Sequence, residues 1–185
     1  MIVTIAVIAV IALAFSFCGF VAIRNFLRFG AKAKQVEVKT NLKAAWIAEK
    51  AWFNEHQTYS ESLEEIQFLP ERGNRYRYVL ALDNRVLVQG SRPDGGLHSG
   101  VAVDERLAPR LSDATLLAAI PASLRAEVGL RGSCPTACRV TVVAVGDIDV
   151  DPTVDVWSIS TEARVIDGES VPAGTPYKHV DDVSE

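Results

Sequence analysis

Hydrophobic positions divide the chain into two regimes. From Met1 to Ile23 no side chain is charged. An uncharged run of that length, wound as a helix at about 1.5 Å per residue, covers roughly the 30 Å core of a bilayer. Beyond it the apolar residues become periodic: Leu42, Trp46, Glu49 and Phe53 fall on one helical face, with Ala45 and Trp52 beside it and lysines elsewhere. No Pro or Gly interrupts residues 31–60, so the two regimes predict one continuous helix of about 55 residues, roughly 80 Å long. A helix of that length needs burial from lipid or from a bundle of like helices over its first half.

After residue 60 the period changes to two. Residues 75–81 and 85–89 alternate about Asp83-Asn84, which predicts a β-hairpin. Residues 92–100 are turn-rich, and 112–119 and 121–128 read as two short helices over a sheet. Residues 139–145 and 154–159 are β-branched strands separated by an Asp-rich turn. The expected fold class is α+β: a long N-terminal helix packed on a roughly four-stranded antiparallel sheet. Residues 1–23 form the transmembrane half of the helix, 24–58 its basic amphipathic half and 59–185 an extracytoplasmic head. Leu42, Trp46, Phe53, Tyr76 and Trp157 are the expected helix–sheet core, and with Trp52 and Tyr78 they read as core aromatics and aliphatics rather than as a ligand platform.

Charge sharpens the division. The overall charge of −4 conceals a segment, Arg24 to Lys50, that is +5, leaving −9 elsewhere. A basic stalk and an acidic head allow the stalk to meet anionic lipid or a neighbour's head; a solvated helix face is the plain alternative. Basic residues after a span ordinarily stay in the cytoplasm. The pair Cys134 and Cys138, in Cys-Pro-Thr-Ala-Cys, argues for the opposite orientation, because it suits a short disulfide loop in an oxidising compartment. The metal reading of that pair lacks a second pair, and His56, His98 and His179 are scattered singly. Cys18 follows a bulky Phe17, unlike a lipid-acceptor cysteine, and reads as a buried apolar thiol. A cleaved signal peptide would need a basic start and a small-residue cleavage site, which this run lacks.

Several stretches resemble type IV pilins of gliding bacteria. Residues 21–29 (Val-Ala-Ile-Arg-Asn-Phe-Leu-Arg-Phe) and 34–44 (Lys-Gln-Val-Glu-Val-Lys-Thr-Asn-Leu-Lys-Ala) resemble the stalk helix. Residues 48–60 and 70–76 (Pro-Glu-Arg-Gly-Asn-Arg-Tyr) resemble the helix end and first strand, and 146–151 with 154–160 the last strands. The resemblance implies a lollipop-shaped subunit with a disulfide near its C-terminus, anchored in a bacterial inner membrane with its head periplasmic or extracellular. It also implies assembly with like subunits into a cell-surface pilus through Ile2, Ile5, Val10, Phe15, Phe20, Ile23, Phe26 and Phe29. The expected role is a structural or minor component of a pilus or pseudopilus serving adhesion, motility or secretion. Three departures define the alternative, an unprocessed membrane-anchored pilin-like binding module that does not polymerise. The apolar run has no basic leader ending in Gly-Phe-Thr-Leu-Ile-Glu, Val7 stands where the family has an acidic residue, and Arg24 stands at its helix-bending Pro.

No catalytic motif is present: there is no Gly-x-Ser-x-Gly elbow, no paired-His motif and no phosphate loop, since Pro93-Asp94-Gly95-Gly96 is followed by no Gly-Lys-Ser/Thr. The chain is therefore not expected to be an enzyme, and no nucleic-acid partner, small-molecule substrate or resident cofactor is expected. One metal candidate is calcium: Asp147, Asp149, Asp151 and Asp155 are spaced like the first acidic ligands of a calcium loop. Pro152 occupies the position of the loop's Gly and Ser158 that of its bidentate carboxylate, so an acidic turn that caps its own amides is the competing reading. Calorimetric titration with calcium separates the two: a loop site gives heat and a raised melting temperature, a capping turn neither.

Overall fold

The computed structural model describes residues 2–70, 74–82, 86–89, 101–104, 115, 118–148, 153–181 and 183; the side chains of 2–15, 24, 27, 28, 86–89 and 101–104 are outside that description. Helix α1 runs from Ile2 to His56 without a break. It ends two residues before the expected boundary. Gln57 takes a left-handed conformation (φ 57°), and its N–H bonds back to the Phe53 carbonyl at 2.8 Å, which closes the last turn. Among the described residues no helix is long and apolar enough to cross a membrane.

Among the described residues the head holds a seven-stranded sheet with path order β2-β3-β1-β5-β6-β9, β4 pairing off the path with β5. The strands are β1 (Tyr76–Val79), β2 (Val86–Gln89), β3 (Val101–Asp104), β4 (Gly129–Ser133), β5 (Ala137–Gly146), β6 (Asp155–Ser160) and β9 (Tyr177–Val180). Strands β7 (Arg164–Ile166) and β8 (Glu169–Val171) form a separate hairpin. The four-stranded expectation is therefore too small. The expected hairpin is also absent: β1 lies between β3 and β5, antiparallel to both, and β2 pairs parallel with β3. All four residues of β1 are buried, so it needs partners on both edges, and the ten-residue β5 supplies the longer one.

Both faces of the central strands β1, β5 and β6 are covered. Alternation along the central strands sends Tyr76, Tyr78, Val140, Val142, Ala144, Trp157 and Ile159 towards α1. Their neighbours Val79, Val143, Val145 and Val156 face away, under Ile120, Leu124 and Val128. The expected helical segment at 121–128 does lie over this face, as the single turn α2 (Ala122–Arg125); most of 112–119 is outside the described residues. On α1 the buried positions are 31, 35, 38, 42, 45 and 49, alternating steps of four and three, so one straight seam meets the sheet.

Small residues let the aromatics lie down on this sheet. Tyr76 pairs with Gly146 and Tyr78 with Ala144, and a Cβ on Gly146 would stand 2.7 Å from Tyr76 Cδ1 and 3.0 Å from the Arg75 carbonyl oxygen. Gly146→Ala is therefore expected to displace Tyr76 and destabilise the head by about 1–3 kcal/mol, read as a lower urea midpoint with the disulfide intact.

Candidate functional site: the stalk helix and its polar clasp

Helix α1 has two different surroundings. From Ala31 onward the head covers one face: Ala31, Val38, Leu42 and Ala45 are buried, and Trp46 and Phe53 are partly buried against the same core as Tyr76 and Trp157. Before Ala31 the head covers nothing described. Phe17, Phe20, Ile23, Phe26 and Phe29 are each more than 60% exposed, and Val21 is 40% exposed. Cys18 is exposed with them rather than buried, because no part of the head reaches that level of the stalk. The side chains of Ile2, Ile5, Val10 and Phe15 lie outside the described residues.

The covered half is fixed by polar groups as well as by burial. Asp155, at the start of β6, is wholly buried. Its carboxylate accepts from Gln35 Nε2 on α1 (2.9 and 3.1 Å), from the Tyr76 hydroxyl on β1 (2.7 Å) and from Trp157 Nε1 (3.1 Å). Gln35 Nε2 also reaches Asp181 Oδ1 beyond β9, at 2.9 Å. One carboxylate thus joins the stalk to two strands. Burial and the adjacent Asp155 charge push the Tyr76 hydroxyl far above the ordinary tyrosine range, so it remains a donor. Flanking this centre, Glu37 accepts from the Arg75 backbone N–H (2.9 Å) and from its guanidinium (3.1 Å), and Asn41 donates to the Tyr78 hydroxyl at 2.8 Å.

Three lysines of the stalk reach back to the head from its surface. Lys34 donates to the Ile148 carbonyl and Lys43 to that of Gly174 at 2.9 Å; Lys39 lies 5.1 Å from the Trp157 ring centroid and Lys43 4.1 Å from that of Trp46. These lysines are engaged by their own head, a use that charge counting did not anticipate. Gly174, at φ 69°, permits the approach, since a Cβ there would meet the Trp46 ring at 2.7 Å.

At the far end of the seam Glu49 is wholly buried. Its Oε2 accepts from the Ser60 backbone N–H at 3.2 Å, while Oε1 has no hydrogen-bond partner among the described residues. Burial, more than the nearby Glu65 and Glu61 charges, pushes its carboxyl up to about 8. It is thus a neutral bracket for the chain reversal after α1 over much of the ordinary pH range.

Cys134 and Cys138 are disulfide-bonded, closing the loop between β4 and β5. Of the calcium candidates, Asp149 and Asp151 lie outside the described residues. Asp155 is taken by the clasp, while Asp147 is half-buried and has a partner of its own. Among the described residues no group of three acidic, His or Cys side chains is gathered as a metal site. Sequence reasoning singled out Asp155 for its spacing, whereas its function in the fold follows from position: it opens a strand whose residues are all buried. Gln35 was not foreseen; its place in the four-three seam with Val38 and Leu42 was the available signal.

Two comparisons with known proteins bear on this arrangement. The family profile described as Type IV pilin PilA matches residues 29–91. The Type IV major pilin protein PilA of Myxococcus xanthus (strain DK1622) is 32% identical over 188 residues, spanning 89% of this chain and 84% of that protein.

Asp155→Ala is expected to strand two buried donors, the Tyr76 hydroxyl and Trp157 Nε1, to leave Gln35 with Asp181 alone, and to cost about 3 kcal/mol; in Asp155→Ala/Tyr76→Phe part of that loss is recovered, as a double-mutant cycle by urea denaturation would register. The raised Glu49 carboxyl favours the folded state in its protonated form. Its contribution is full below pH about 4.5, the unfolded value, and is lost as pH rises to about 8. Glu49→Gln should therefore flatten the decline in melting temperature between pH 5 and about 9, with its largest gain at the alkaline end.

Proposed function

Because the chain belongs to the type IV pilin family, we propose that it is a pilus subunit whose stalk helix has two jobs, divided at Ala31. The family is structural, and the protein is a structural subunit rather than an enzyme. The covered half of α1 holds the head, and the uncovered half is the surface through which like subunits pack. The observation that carries this reading is the ring of exposed aromatics, Phe17, Phe20, Phe26 and Phe29 with Ile23, on a helix that continues unbroken into the core of the head. Exposed apolar area of this kind is an interaction surface.

Before assembly the same surface requires lipid, and residues 1–23 are our membrane-embedded segment, with the head on the extracytoplasmic side. The Cys134–Cys138 disulfide supports that side, since such bonds persist in oxidising compartments. In the filament the segment exchanges lipid for neighbouring stalks, and Ile2, Ile5, Val10 and Phe15 extend the contact towards its start.

The test places a charge on the proposed contact without touching the head. Phe20→Asp/Phe26→Asp should leave the melting temperature of the head unchanged, because neither ring touches its core. A carboxylate in an apolar bundle costs about 2.5–3.5 kcal/mol. The variant should therefore fall by more than about tenfold in sheared surface filaments relative to the wild type. Filaments of normal yield would refute the division of the helix.

A further inference from the structure

A cleft of about 1090 Å³ opens on the head where the end of α1, the disulfide loop, α2 and the β7–β8 hairpin approach one another. Apolar surface comes from Phe53, Tyr59, Pro121 and Pro135; the charged lining is Lys50, Arg139 and Arg164 with Glu127, Glu162 and Asp167. Its volume is that of a site for an organic molecule rather than for a lone ion.

The charges balance in number, but the two guanidinium groups are not equally served. Arg139 donates to Glu127 from Nε at 3.1 Å and again from Nη2, so that carboxylate is committed to Arg139. Arg164 stands in the fields of both Glu127 and Arg139. Glu127 is bonded to Arg139 and not to Arg164, while Glu162 and Asp167 also line the cleft. Arg164 Nη2 is withdrawn from solvent and has no acceptor among the described residues. A buried N–H of a charged group left without an acceptor is costly, and a planar guanidinium is matched best by an oxyanion taken through two parallel bonds. Neighbouring His179 is held neutral, its imidazole pushed down to about 4 by burial and then by Arg164, and its Nε2 is within 2.8 Å of Ser158 Oγ. It therefore adds no competing positive charge.

We propose that this cleft is a binding site for a carboxylate carried on an apolar or aromatic frame, with Arg164 receiving the carboxylate and the Phe53–Tyr59 wall receiving the frame. Those two rings are already stacked, with centroids 4.5 Å apart, and form a fixed surface. Arg139 acts as a positioning residue: by holding Glu127 it keeps that carboxylate from satisfying Arg164 internally. The site is independent of the assembly surface, which lies at the other end of α1.

Benzoate and its uncharged isostere benzamide are the probes, with the full-length chain in detergent and binding followed by ligand-observed saturation-transfer NMR. Benzoate should bind, benzamide should bind at least about tenfold more weakly, and inorganic phosphate should displace benzoate. Arg164→Gln should weaken benzoate by about tenfold or more, Arg164→Lys by less than Arg164→Gln, and Arg139→Gln should weaken it by freeing Glu127 for Arg164. Melting temperatures verify that each variant is folded. Equal binding of benzoate and benzamide, no displacement by phosphate, or benzoate binding unchanged in folded Arg164→Gln would each overturn the site.

Discussion

A carboxylate with no access to water has to be met by donors, and the place where those donors converge is fixed far more tightly than any apolar contact. Asp155 imposes that requirement here. Its partners come from α1, β1 and β6, so stalk and sheet share one arrangement in which Gln35, Tyr76 and Trp157 are all satisfied. The apolar seam of Val38, Leu42 and Ala45 supplies most of the attraction between helix and sheet, but a smooth seam allows sliding. A shift of α1 along its axis would leave Asp155 short of a donor and would also separate Glu37 from Arg75.

That constraint has a mechanical consequence for a filament subunit. On the packing proposed above, load enters through the uncovered half of α1, and the helix continues to the head without a break at Ala31. The seam then receives it in shear, the direction in which polar contacts resist better than methyl groups. The lysines add to this resistance: Lys34 and Lys43 grip carbonyls of the head, and Lys39 lies over Trp157. These contacts are made to carbonyls and a ring rather than to head carboxylates, and the stalk–head ion pair, Glu37 with Arg75, has the stalk as its negative side.

The long helix, its division into an uncharged and a periodic half, and the aromatics of its covered face were legible because helical periodicity is a local signal. Strand content near residues 76–79, 139–145 and 155–160 was legible for the same reason. Strand partners were not, since pairing is decided by which edges are free once the whole sheet is assembled; the hairpin expected across residues 83–84 gave way to β1 between β3 and β5. The short strands β4, β7, β8 and β9 carry Gly, Arg, Lys, Glu and His, which blunt any alternation. Asp155 illustrates a different limit. In sequence it stands in a series with Asp147, Asp149 and Asp151, and only the tertiary structure distinguishes a buried acceptor from a member of an acidic turn.

The central claim is that the covered part of α1 and the central strands form one cooperative unit, locked by the Asp155 clasp. Native-state amide hydrogen exchange of the full-length chain in detergent tests it most directly. Amides of residues 38–49 and of β5 and β6 should exchange with the same free energy of opening and the same dependence on denaturant, because neither can open without the other. Helix amides that exchange through a smaller, denaturant-independent opening while β5 and β6 remain protected would show that the stalk detaches from an intact head, and would contradict the account.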